Sequence, residues 1–325
     1  MRKTKVLVYS TKSYDKIMFK KVGKRFRSVK LDFVESRLNH KTVEMARGYE
    51  NICIFVNDTC DAVVVKRLHE LGVKHILCRC VGTNNVDIET CKKLGITVDI
   101  SPYSPETVAE HAAALLLCVN RHLHKAYGRV RDNDYDLTGL SGFCLKGKTV
   151  GIIGFGKIGR CFARICNGFG MNIVVYDAFV KEPNTDFPVK LVENLDELYS
   201  ASDVISLHAP LTEGTKHLIN KESIAKMKKD VIIINVSRGG LVDTKALLRG
   251  LRSKKIYGAG LDVYEGEEEF AFKNHENDIL HIDIIQRLTA NPNVVVTSHQ
   301  GFLTDTALEE ISTKVFENVL KYQQK

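Results

Sequence analysis

Short apolar runs alternate with longer amphipathic stretches along most of this chain. Lys5-Val6-Leu7-Val8-Tyr9, Asn51-Ile52-Cys53-Ile54-Phe55-Val56, His75-Ile76-Leu77-Cys78 and Ile96-Thr97-Val98-Asp99-Ile100 read as strands. The stretches between them end at Leu71-Gly72 and Leu94-Gly95, where glycine can adopt the left-handed conformation that stops a helix. This alternation predicts a parallel sheet with helices on its faces. The pattern breaks at Ser101-Pro102-Tyr103-Ser104-Pro105-Glu106, where the prolines favour extended chain and Ser104 is placed to cap a new helix. Residues 108–124 then predict one long apolar helix through Ala112, Leu115, Leu116 and Val119, suited to a hinge between domains. From Lys148 the alternation restarts, with strands expected at 149–153, 172–176, 204–207, 231–235, 257–261 and 294–297. A final helix near residues 305–322 lies beyond them and is expected to fold back on the first domain.

Composition narrows the picture. A length of 325 residues fits two domains, and 44% hydrophobic with 26% charged residues fits a soluble globular protein. No run approaches the ~18 apolar residues that a membrane span needs, and the first apolar run follows Lys5 too briefly for a signal-peptide core. The nine cysteines show no metal-ligand spacing: Cys78 and Cys80 would share a strand face, but no second pair completes a set. The expectation is a cytoplasmic protein with reduced, mostly buried thiols and no metal. The net charge of +8 is not gathered on one element. Its densest run, residues 12–30 with Lys20, Lys21, Lys24, Arg25 and Arg27, has apolar residues at helical spacing and reads as a solvated helix face. Neither a nucleic-acid nor a membrane partner is expected, whereas a positive field suits small anionic substrates and dinucleotides.

The loop Gly154-Phe155-Gly156-Lys157-Ile158-Gly159 follows a predicted buried strand and opens a predicted helix. In that context each glycine has its own role. The first makes the tight turn, the second lets backbone approach a pyrophosphate, and the third lets helix pack on strand. Asp177 ends the next strand, where a carboxylate can accept bonds from ribose hydroxyls and would repel a 2′-phosphate. The predicted cofactor is NAD(H) rather than NADP(H).

Three polar groups follow later strands: Arg238 before Gly239-Gly240, an acid within the run 265–269, and His299 after Thr297-Ser298. An arginine can grip a carboxylate with its planar fork, a histidine can protonate a carbonyl oxygen as hydride reaches carbon, and an acid can orient the imidazole. Such a set meets the needs of 2-oxo acid reduction. Pattern alone leaves Glu265, Glu267 and Glu268 as alternatives for the acid. Of the other histidines, His111, His122 and His124 are expected in packing or surface roles, and His208 near the cofactor without a chemical role.

The glycine loop, Asn235-Val236-Ser237-Arg238-Gly239, Asp262-Val263-Tyr264-Glu265 and Ser298-His299-Gln300-Gly301-Phe302 resemble, in order and spacing, the D-isomer-specific 2-hydroxyacid dehydrogenase family. The resemblance covers essentially the whole chain. Within that family, residues 53–58, 79–87 and 102–106 are most similar to the bacterial fermentative D-lactate dehydrogenases. The resemblance implies two Rossmann-like or flavodoxin-like α/β domains, each a doubly wound parallel sheet, with the active site in the cleft between them. Residues 1–101 and 300–325 would form the substrate-binding domain and 102–299 the NAD-binding domain. It selects Arg238, Glu267 and His299 as the catalytic set, with His299 as acid–base. It assigns cofactor contacts to Lys157, Ile158, Asp177, Ala209, Pro210, Thr215, Val236, Ser237 and Asp262. The backbone at Val81 and Gly82 would hold the substrate carboxylate, and Tyr103 and Phe302 would border a small pocket. Gly301 departs from relatives that carry alanine there. The implied reaction is reduction of pyruvate to D-lactate by NADH in a homodimer or homotetramer. Glyoxylate or hydroxypyruvate reduction, branched 2-hydroxy acid oxidation, and an NAD-sensing corepressor-like role are the alternatives within the same fold.

Overall fold

Strands buried on both faces read as continuous apolar runs, and two such strands form the middle of the first sheet. All four residues of β3 (Asn51–Ile54) and of β4 (His75–Cys78) are buried. With β1 (Thr4–Val8), β2 (Val29–Phe33) and β5 (Thr97–Ile100) they make an all-parallel sheet in the order β2-β1-β3-β4-β5. The computed structural model describes residues 3–267, 270–278 and 283–324. In it this sheet belongs to a unit formed by Met1–Ser104 and Leu303–Lys325.

Helices α1 (Ser13–Gly23), α2 (Ala62–Glu70) and α3 (Ile88–Lys93) connect its strands. Asp61 and Asp87 cap α2 and α3 by accepting backbone N–H bonds, and Gly72 and Gly95 leave those helices at φ +92° and +70°. The last helix, α11 (Asp305–Gln323), docks on the same unit through Phe316, which is buried, stacks on Phe26 at 4.9 Å and meets Phe19 edge-on.

The second unit spans Pro105–Phe302. Its sheet runs β12-β11-β10-β9-β6-β7-β8, again all parallel. These strands are β6 (Thr149–Ile153), β7 (Asn172–Tyr176), β8 (Lys190–Leu191), β9 (Val204–Leu207), β10 (Val231–Asn235), β11 (Ile256–Leu261) and β12 (Val294–Val296). The order reverses between β6 and β9, and a doubly wound sheet opens its ligand crevice at the carboxyl ends beside such a switch. The helices of this unit are α4 (Glu106–Asn120), α5 (Leu123–Arg131), α6 (Lys157–Gly168), α7 (Leu195–Ala201), α8 (Lys221–Lys226), α9 (Thr244–Arg252) and α10 (Asp283–Thr289).

Four local expectations fail for identifiable reasons. The basic run at 12–30 is not one helix: α1 stops at Gly23 and the chain turns into β2, an edge strand with only Val29 buried. Its Lys20, Lys21, Lys24, Arg25 and Arg27 are nonetheless exposed. The two-residue edge strand β8 carries no periodicity to read. The long helix expected at 108–124 breaks after Asn120. The Asn120 side chain exchanges hydrogen bonds with the Phe143 backbone, and His122 turns left-handed (φ +50°) with Nε2 2.7 Å from the Tyr257 hydroxyl. Ser104 does not cap α4: its backbone N–H and Oγ donate instead to the Glu310 carboxylate, and Pro105 holds the cap position. Six of the nine cysteines are buried. Among the described residues no helix is long and apolar enough to cross a membrane, and no cluster of metal-ligating side chains is found.

Candidate active site

At the β6–β9 switch the glycine loop shows a different constraint at each glycine. Gly154 sits at φ +94°, and a Cβ there would lie 2.6 Å from the His208 carbonyl carbon and 2.7 Å from the Ala209 nitrogen. A Cβ on Gly159 would lie 2.2 Å from the Gly154 oxygen, so this glycine lets α6 begin against the strand. A Cβ on Gly156 would meet nothing within 4 Å. Gly156 is also the N-cap of α6 and offers no side-chain cap, so the helix presents first-turn N–H groups on an open side. Lys157 is exposed and Ile158 half-buried on that first turn.

Asp177 is held by the loop it serves. Its Oδ2 accepts from the Phe155 N–H at 2.6 Å, and its Oδ1 accepts from the N–H groups of Phe179 and Val180. Burial alone would raise its pKa; these three bonds and the nearby Arg160 charge outweigh it and hold the carboxyl below its usual range. An open helix N-terminus, a glycine without a blocking side chain and a fixed carboxylate one strand away fit a dinucleotide's pyrophosphate and adenosine ribose.

The crevice wall is shaped by side chains bound to backbone. Ser237 Oγ donates to the Ala209 carbonyl at 2.6 Å. Thr215 Oγ1 donates to the Pro210 carbonyl and accepts from the Thr212 N–H, so its hydroxyl builds the turn. Val236 is 8% exposed at the end of β10. His208 is pushed down to about 3 by burial, with Nε2 2.8 Å from Ser206 Oγ, and so is uncharged near neutrality.

Arg238, Glu267 and His299 follow β10, β11 and β12, three neighbouring strands, at their carboxyl ends. His299 Nδ1 lies 2.9 Å from Glu267 Oε1, and Glu267 is buried. That bond commits Nδ1 and leaves Nε2 as the ring nitrogen for a substrate. The Phe272 ring lies 5.6 Å from the imidazole. Arg238 is half-buried, and its carbonyl accepts from the Asn235 side-chain amide. Glu265 turns elsewhere, to His217 Nε2 at 2.8 Å; Glu268 and Glu269 lie outside the described residues.

Asp262 organises this region in a way the spacing did not reveal. It is 1% exposed, and its carboxylate accepts from Thr297 Oγ1, the Gln300 N–H and the Gly301 N–H, with His111 Nε2 at 3.1 Å. Its carbonyl accepts from the His299 N–H at 2.8 Å. His299 itself sits at φ +54°, a backbone region that costs a non-glycine residue roughly 1 kcal/mol or more, and these bonds on both sides hold it there. A Cβ on Gly301 would come 3.0 Å from Asp262 Oδ2, so alanine there would have to push against the carboxylate.

Residues 113–301 match the model of the D-isomer specific 2-hydroxyacid dehydrogenase NAD binding domain. The chain is 44% identical to the D-lactate dehydrogenase of Escherichia coli over 97% of its length and 95% of that protein. It is equally similar, at 44% over 98% and 96%, to a 2-hydroxyacid dehydrogenase homolog of Haemophilus influenzae. The solved pyruvate reductase of Chlamydomonas reinhardtii superposes with a TM-score of 0.90 at 42% identity, over 98% of this chain and 96% of that one. The chain belongs to the D-isomer-specific 2-hydroxyacid dehydrogenases.

For a 2-hydroxyacid dehydrogenase the second unit is thus the NAD-binding one, and the substrates are small 2-hydroxy and 2-oxo acids. Of the residues expected at the substrate, Phe302 is 9% exposed in the second unit. Val81, Gly82 and Tyr103 belong to the first unit, where Val81 is 50% exposed and the other two are half-buried. His111, expected only to pack, holds Asp262, and no local motif signals that link because 151 positions separate the two.

Two substitutions at the glycine loop should behave differently. Gly156→Ala leaves the melting temperature within about 1 °C but raises the NADH Kd about tenfold, whereas Gly159→Ala costs about 1–3 kcal/mol in stability; fluorescence titration and thermal melts separate the two. The Asp262 carboxyl is driven by burial upward and by His111, Thr297 and the Gln300 N–H more strongly downward, to about 2. A lowered folded value contributes stability that is complete above about pH 4 and is lost as pH falls through about 2. The stability difference between wild type and Asp262→Asn should therefore shrink by about 2 kcal/mol over that window; a pH-independent difference in acid unfolding contradicts it.

Proposed function

We propose that this 2-hydroxyacid dehydrogenase reduces pyruvate to D-lactate with NADH. The observation that carries the reading is the His299–Glu267 pair at 2.9 Å on the carboxyl edge of the sheet that also carries the glycine loop. The 44% identity to a D-lactate dehydrogenase supports pyruvate as the substrate.

Bound NADH supplies the hydride that reaches the carbonyl carbon. Arg238 holds the substrate carboxylate and draws electron density from the carbonyl. His299 donates its Nε2 proton to the carbonyl oxygen as that oxygen gains charge, leaving a 2-hydroxy acid and a neutral imidazole. Glu267 accepts from Nδ1 and so orients the ring with Nε2 toward the substrate. Asp177 accepts from the adenosine ribose and disfavours a 2′-phosphate. Lys157 and Ile158 line the pyrophosphate, and Ala209, Pro210, Thr215, Val236 and Ser237 form the wall beside the rest of the dinucleotide. Asp262 acts on that side through the turns it holds. Val81 and Gly82 offer backbone N–H groups to the substrate carboxylate. The reading includes homo-oligomerisation through the second unit. Leu123, Tyr127 and Val130 on α5, with Tyr135 and Leu137 just after it, expose 52–79% of their surface.

Steady-state NADH oxidation with pyruvate, glyoxylate, hydroxypyruvate and 2-oxoisocaproate tests the reading. Pyruvate should give the highest kcat/KM, His299→Ala should lower it about 10²–10⁴-fold, and NADPH should be a poor donor. Glu267→Gln, which removes the carboxylate 2.9 Å from Nδ1, should lower kcat with the NADH Kd unchanged. A bulkier preferred acid would correct the pocket alone; no turnover with any 2-oxo acid would overturn the assignment.

A further inference from the structure

The first unit has its own switch point, between β1 and β3, and a buried arginine bridges it. Arg79 follows β4 and is 2% exposed. Its Nη2 donates to the Ser10 carbonyl at 2.7 Å and lies 3.4 Å from Asp15 Oδ2. Its guanidinium packs over the Phe55 ring at 4.5 Å, and its backbone N–H donates to the Ile54 carbonyl. One side chain thus touches the segments that follow β1 and β3 and the first turn of α1. Its Nε and Nη1 are buried and have no hydrogen-bond partner among the described residues. Packing alone would be better served by an apolar side chain, since unmet buried donors are unfavourable.

The acceptor it holds is itself strained. Ser10 is buried at φ +52°, a left-handed position that favours glycine. Arg79 fixes its carbonyl, and its hydroxyl donates to Asp58 Oδ1 at 2.6 Å. Asp58 in turn accepts from the N–H groups of Leu38 and Phe55. Backbone strain held from several sides is a recurrent mark of functional loops.

Immediately after Arg79 the chain changes direction. Cys80 is 6% exposed, with Sγ 3.1 Å from the Gly82 carbonyl, while Val81 between them is 50% exposed. Arg79 and Cys80 are therefore the inner root of a short loop that presents Val81 outward. We infer that Arg79 is a positioning residue for the carboxylate of the 2-oxo acid: its side chain ties the root of the 80–82 loop to the segments that follow β1 and β3. This inference rests on the functional reading given above, in which Val81 and Gly82 receive that carboxylate. Arg79 itself touches no reacting atom.

The test is a split between substrate affinity, cofactor affinity and turnover. In Arg79→Met the KM for the oxo acid should rise more than tenfold, with kcat within about threefold and the NADH Kd unchanged. Arg79→Lys, which keeps the charge but not the fork, should recover part of the KM. A role confined to folding would lower the melting temperature and reduce active protein without this split. If Arg79→Met does not fold, Phe55→Leu, which removes the ring under the guanidinium, should raise KM several-fold with the same unchanged kcat and NADH Kd. A KM within twofold of wild type in a folded Arg79→Met or in Phe55→Leu overturns the inference, as does a parallel loss of NADH affinity. Wild-type protein inactive on every 2-oxo acid overturns the functional reading and this inference together; an active wild type with unchanged variant KM overturns this inference alone.

Discussion

The buried carboxylate of Asp262 is the constraint on which the second unit's chemistry depends. A histidine after a short strand would ordinarily point wherever its loop allowed. Here its backbone is held left-handed because the Asp262 carbonyl takes the His299 N–H and the Asp262 side chain takes the next two. His111 from α4 and Thr297 complete the set, so a helix, a strand end and a loop meet on one anion. Charge and hydrogen bonds there outweigh the cost of burial. With the backbone fixed, a single further bond from Glu267 decides which imidazole nitrogen faces outward.

The two units apply one topological rule twice. Each is a parallel sheet whose strand order reverses once, and each gathers its unusual features at the carboxyl ends beside that reversal. In the second unit these are the open helix N-terminus at Gly156 and the carboxylate of Asp177. In the first they are the strained Ser10 and the buried Arg79. Both loops are anchored from inside by a polar side chain.

Much of this is legible in the sequence where both faces of a strand are covered. Residues 51–54, 75–78, 204–207 and 231–235 are mostly apolar because neither face meets water. The glycine spacing of 154–159 reflects a left-handed turn, an open helix end and a close packing contact in succession. Two of the edge strands lack such signals: β2 has a single buried residue and its residues read as the end of a helix, and β8, only two residues long, leaves no trace. The break at His122 is set by Tyr257 and Phe143, neither of them near it in sequence. The Asp262 hub is invisible for the same reason: its partners run from position 111 to 301, and nothing in local spacing records a contact over that range. The Asp262 oxygens hold the turn beneath His299.

The central claim is that His299, turned by Asp262 and oriented by Glu267, serves the D-specific reduction of a 2-oxo acid. The most direct measurement is the configuration of lactate formed from pyruvate and NADH, read by chiral chromatography against both standards. D-lactate alone is expected. L-lactate or a racemate would contradict it, whatever the rate.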